Sequence, residues 1–126
     1  MKYPSKEQII FLHEELILTS GGAQGIRDEG LLESAINTPL QSFEGEDLYP
    51  SLIDKACRLA FGLIKNHPFI DGNKRIGTHA MILLLYINGV DLSYEDNDLI
   101  DIILQLSSGE AEEDDLREWL KGHSRY

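Results

Sequence analysis

Apolar positions recur at helical spacing along almost the whole chain. Ser5 followed three residues later by Gln8 forms a capping-box pattern, and Ile9, Ile10, Leu12, Leu16 and Ile17 then give one apolar face up to about Leu18. The GGAQG stretch, residues 21–25, ends this first helix. Asp28 is a suitable N-cap for a second helix carrying Leu31, Leu32, Ala35 and Ile36, which Pro39 should stop. Residues 38–50 are the least periodic part, and Phe43, Gly45, Leu48, Tyr49 and Pro50 suggest an exposed loop or a short hairpin flap with aromatic contacts. From Ser51, the positions Leu52, Ile53, Ala56, Leu59, Ala60, Leu63 and Ile64 predict a third helix to about Lys65.

A fourth helix is predicted from about Asn73 to Ile87, apolar nearly all round and therefore buried among others, with Asn88-Gly89 as its stop. Leu99, Ile100, Ile102, Ile103 and Leu106 mark a fifth, closed by Gly109. An acidic first turn, Glu112 to Asp115, opens a sixth with Leu116, Trp119 and Leu120 facing inward. His123 to Tyr126 reads as a tail. Without repeats, linker or low-complexity segment, residues 1–126 are expected to form one all-α domain of about six helices.

Composition narrows the class. A chain of 126 residues that is 42% hydrophobic can bury a core. Its longest apolar run, Ala80 to Ile87, falls far short of the ~20 residues of a membrane span, so a cytoplasmic protein is expected. Cys57 is the sole cysteine, which excludes an intrachain disulfide and a cysteine-based zinc cage, and its apolar neighbours make it a core residue. His13 and His123 lack the spacing of a zinc site, and His79 reads as a packed or partly exposed ring.

The net charge is -11, which repels nucleic acid and anionic membrane over most of the surface. Residues 55–75 depart from it, with five cations (Lys55, Arg58, Lys65, Lys74, Arg75) against the single acid Asp71. The remainder carries six cations and 21 acids. One short segment is thus suited to an anion, unless its charges simply decorate a solvated face.

That segment contains NHPFIDGNKR, residues 66–75, between two apolar helices. Pro68 ends the preceding helix near His67, and Phe69 can pin the loop to the core. Gly72 allows close backbone approach, and the amides from Gly72 to Arg75 at the next helix start form a candidate phosphate site. Lys74 and Arg75 oppose the helix dipole there, a local cost that a polyphosphate removes. Asp71 suits a magnesium ion shared with phosphate oxygens, and His67 can take a proton near neutral pH. Taken singly, each has a duller role as cap, turn or solvated charge; their joint presence within nine residues is what points to metal-assisted transfer to a hydroxyl.

HPFIDGNKR resembles the signature loop of the Fic/Doc family, and GGAQGIRDEGLLESAI upstream and LLYINGV downstream resemble its death-on-curing (Doc) branch. The resemblance implies His67 as general base, Phe69 as loop anchor and Asp71 as magnesium ligand. It further implies that Gly72 and Asn73 contribute to the anion nest and that Lys74 and Arg75 contact the phosphates of ATP. Lys74 stands where AMP-transferring branches usually carry Gly, and Thr78 where they carry a second Arg, which favours phosphoryl transfer. Pro68 and Gly72 are similar to the AMP-transferring branch, so AMP transfer remains the alternative, as does a silent nucleotide- or protein-binding module. For the Doc branch the resemblance implies a Ser/Thr hydroxyl of a target protein, with translation elongation factor Tu as the implied target. The terminal segments hold no Ser/Thr-x-x-x-Glu-(Gly/Asn) inhibitory motif, so an antitoxin supplied in trans is the implied partner.

Overall fold

In the computed structural model, which describes residues 1–125, two central helices, α3 (Leu52–Asn66) and α4 (Asn73–Ile87), pack along each other and carry half of the core. Their close approach depends on Gly77, where a side chain would meet Ile64 Cγ1 at 2.7 Å and the Ala60 carbonyl at 3.2 Å. Around them lie α1 (Lys6–Ser20), α2 (Glu29–Asn37), α5 (Asp96–Ser108) and α6 (Glu113–His123), so the expected all-α fold of six helices is observed among the described residues. Leu59, Leu63, Ile64, Phe69, Ile76, Met81, Leu84 and Leu85 are essentially inaccessible to solvent. Cys57 is buried between α3 and α6, where its thiol donates to the Glu113 carbonyl at 3.2 Å. Burial pushes its pKa up to about 12.

Helix starts follow local chemistry. The Ser5 hydroxyl accepts from Gln8 N while Gln8 Oε1 accepts from Ser5 N, and Asp28 Oδ1 accepts from Leu31 N. Ser51 and Asp54 form a second reciprocal box at the start of α3. Pro39 does more than stop α2: it is buried in a 3-10 turn, Thr38–Leu40, that extends the helix. The hairpin in residues 38–50 is present as β1 (Ser42–Phe43) paired antiparallel with β2 (Glu46–Asp47), with Phe43 exposed at its tip.

The tail reading fails for residues 123–125. His123 closes α6, its ring stacked on Trp119 at 4.0 Å and its Nδ1 2.7 Å from the Trp119 carbonyl. β4 (Ser124–Arg125) then pairs antiparallel with β3 (Asp91–Leu92), an interaction too short to leave a periodic signal. Tyr126 lies outside the described residues. Trp119 is only partly buried, a lid on the core rather than part of its centre. Among the described residues no helix is long and apolar enough to cross a membrane.

Candidate active site

The loop between α3 and α4 is clamped from both sides. His67 ends α3 ahead of Pro68, whose ring forbids another helical turn, and takes a left-handed conformation (φ 49°, ψ 55°) unusual for a residue with a side chain. The cost of that geometry, roughly 1–2 kcal/mol, must be offset by its surroundings. They are specific: Arg27 Nε and Nη2 donate to the carbonyls of His67 (2.6 Å) and Asn66 (2.8 Å). The Pro68 carbonyl accepts from Arg27 N and Asp28 N, and Ile70 N donates to the Gly25 carbonyl. Phe69 is inserted into the core, and both its backbone groups are held at 3.0 Å by the buried Asn73 side-chain amide. His67 is left with its ring exposed.

At the other lip, Gly72 is left-handed (φ 78°) and α4 begins. A side chain on Gly72 would meet Ile17 Cδ1 at 3.0 Å. The amides of Asn73, Lys74 and Arg75 are the first three of the helix, without intrahelical acceptors and without a side-chain cap. Among the described residues α4 is alone among the α-helices in lacking both a side-chain cap and any acid in its first turn. Cations stand there instead: Lys74 is exposed, and Arg75 reaches back to the end of α1, donating to the Ser20 hydroxyl and, at 2.7 Å, to the Gly21 carbonyl. Two details refine the expected nest. Gly72 N–H is already taken by Asp71 Oδ1 at 2.8 Å, so Gly72 contributes shape, and Asn73 offers only its backbone amide because its side chain is turned inward.

Asp71 lies between the two lips with its carboxylate half exposed. The Ala23 N–H on Oδ2 (3.1 Å), the Gly72 N–H on Oδ1 and then the Arg75 guanidinium at 3.9 Å hold its carboxyl below the usual carboxylate range. Each oxygen still has acceptor capacity toward solvent. Among the described residues no cluster of three potential metal-ligating side chains exists. An ionised single carboxylate beside free amides nevertheless fits magnesium brought in with a polyphosphate, since that ion needs only one or two protein carboxylates.

The basic run from 55 to 75 does not act as a unit. Lys55 is buried and donates to Asp47 and the Tyr49 carbonyl, tying down the hairpin. Arg58 pairs with Glu113 at 2.6 Å and lies over the Phe61 ring, while Lys65 caps the end of α5 through the Leu106 carbonyl. Only Lys74 and Arg75 remain at the loop. They also border a groove of about 320 Å³ between α4 and α5, walled by Leu99, Ile100, Ile103 and Leu104 and by Thr78 and His79. His79 is exposed as a residue, yet its ring is desolvated enough to lower its pKa. A second cavity, about 420 Å³ between α1 and residues 24–26, touches Phe69 but includes neither His67 nor the α4 amides, so the α4–α5 groove is the better extension of the site.

Residues missed by sequence reasoning are His13, 2% exposed and in contact with Phe69 and Asp71, and Arg27 with the 21–28 segment that backs the loop. For His13 a signal existed: it occupies an i, i+4 core position between Ile9 and Ile17, where an apolar residue is the default.

With an exposed histidine, a carboxylate and an uncapped basic helix start joined by HPFIDGNKR, the chain belongs to the Fic/DOC family, whose profile matches residues 3–85. Its relatives include "Toxin Doc" of Mycolicibacterium smegmatis, 42% identical over 88 residues that span 66% of this chain and 68% of the relative. A second is "Protein kinase doc" of Escherichia phage P1, 28% identical over 110 residues, 87% of this chain and 86% of the relative.

Proposed function

We propose that this protein is the toxin of a toxin–antitoxin pair and a protein kinase that moves phosphate from ATP to a Ser/Thr hydroxyl. The observation that carries the reading is the open start of α4, three amides without intrahelical acceptors at a basic first turn, entered directly from the loop that carries the exposed His67 and the half-exposed Asp71. The names of the two relatives, a Doc toxin and a phage protein kinase, support the same activity.

In this mechanism a neutral His67 imidazole takes the proton of the target hydroxyl, whose oxygen forms a bond to the γ-phosphorus. The bond from that phosphorus to the β,γ-bridging oxygen breaks, and ADP leaves. Amides of Asn73, Lys74 and Arg75 and the Lys74 ammonium meet the phosphate charge, and their fixed geometry requires no rearrangement at the moment of reaction. Asp71 would hold magnesium, which supplies positive charge against the phosphate oxygens. The apolar α4–α5 groove offers a place for the adenine base, while Arg27 and Pro68 keep the His67 backbone in its left-handed turn.

Translation elongation factor Tu is the target suggested by the Doc resemblance, and an antitoxin in trans would supply restraint. The test is incubation with cell extract and ATP labelled at the α or the γ position. Protein labelled only from γ is the expected result. Label from α would mean AMP transfer, and thermal stabilisation by ATP and magnesium with no labelled protein would reduce the molecule to a binding module.

A further inference from the structure

The most deeply buried polar side chain among the described residues lies outside the signature loop. His13, on the inner face of α1, is 2% exposed. Its ring lies 3.8 Å from that of Phe69, nearly parallel at 11°, and its Nε2 is 2.7 Å from the Asp71 carbonyl oxygen. A carbonyl can only accept, so Nε2 carries the proton and donates. One side chain of α1 therefore grips the loop at two residues that alternate with Ile70 and the glycine that opens α4.

The second grip has geometric consequences. In a trans peptide the carbonyl and the following N–H point in opposite directions. Holding the Asp71 carbonyl toward α1 turns the Gly72 N–H away from it, onto Asp71 Oδ1 at 2.8 Å. The other carboxylate oxygen then receives the Ala23 N–H at 3.1 Å, and the chain passes through left-handed Gly72 directly into the free amides of α4.

We infer that His13 is a positioning residue of the ATP site: by donating from Nε2 to the Asp71 carbonyl it sets the plane of the Asp71–Gly72 peptide, and through it the aim of the carboxylate and the direction in which the α4 amides open. The inference rests on the reading of Asp71 and the α4 start as the magnesium–ATP site. An apolar side chain at position 13 would fill the slot between Ile9 and Ile17 but leave the carbonyl without its donor.

Two variants separate donation from packing. H13F keeps an aromatic ring against Phe69 and removes the donor; H13Q keeps an N–H donor of similar reach and removes the stack. Circular dichroism establishes folding, hydrogen exchange follows residues 66–76, and calorimetry gives ATP affinity with and without magnesium. H13F should speed exchange in residues 66–76 but not in α5 or α6, and should lower the magnesium-dependent part of ATP affinity by at least about tenfold, as loss of an outer hydrogen bond to a metal ligand does. H13Q should stay close to wild type on both measures. Wild-type behaviour of H13F, or equal losses in both variants, overturns the inference. Should H13F not fold, nuclear magnetic resonance of the wild type decides: a slowly exchanging Nε2 proton coupled through its hydrogen bond to the Asp71 carbonyl supports the assignment, and its absence overturns it. A wild-type protein that binds no ATP with magnesium removes the ATP reading itself and this inference with it, a result distinct from wild-type binding that H13F leaves intact.

Discussion

Two helices of equal length, α3 and α4, lie side by side and begin in opposite ways. α3 is closed by its own sequence: Ser51 and Asp54 exchange hydrogen bonds, and the Asp54 carboxylate sits in the first turn where the dipole favours it. α4 has no cap, no acid, and two cations placed against its dipole. The capped start is complete without a ligand, whereas the open one leaves three amides without intrahelical acceptors beside the exposed Lys74, Arg75 being held by Ser20 and Gly21. The contrast singles out the α4 start as the candidate anion site better than local charge does, because the cations upstream are spent on internal contacts.

Several changes can break or sharpen this contrast. The largest effect belongs to His67→Ala, which should reduce transfer by at least about 10²–10⁴-fold, the contribution of a positioned general base. Its circular dichroism should remain that of the wild type; γ-label transfer retained in this variant would remove the base assignment. Lys74→Glu makes α4 begin as α3 does. Without ligand it should be as stable as wild type or gain about 0.3–1 kcal/mol, while stabilisation by ATP disappears, and a thermal-shift titration reads both.

Ser51→Ala should do the reverse, costing about 1 kcal/mol, a fall of about 4 °C in Tm, with ATP affinity unchanged. The smallest effect is acid dependence. Asp71 titrates below its unfolded value, so its contribution to stability is full above that value, about 3.9, and is lost as pH falls through the lower folded value. In Asp71→Asn this part of the acid limb should be missing from a pH series of melting temperatures. A limb identical to wild type would contradict the hydrogen bonds assigned to Ala23 and Gly72.

The helices were legible because their ends are written in local chemistry: Ser5 with Gln8, Asp28, the acids of residues 112–115, and Gly109, which adopts the left-handed C-cap expected of it. The residues of the signature loop were legible for the same reason, since proline, glycine and the charges lie within ten positions. What escaped depends on distant partners. Lys55, Arg58 and Lys65 look like one basic patch until Asp47, Glu113 and the Leu106 carbonyl, the last two 55 and 41 residues away, are brought to them. His13 escaped because 58 residues separate it from Asp71, and β3 and β4 because two-residue strands carry no period.

Cys57 offers a built-in clock. A thiolate, not a thiol, attacks alkylating reagents, and this sulfur is both shut inside the α3–α6 seam and kept protonated by its surroundings. Modification in native buffer must therefore wait for α6 to lift away, so the alkylation rate reports how often that seam opens, on a molecule that needs no engineered probe.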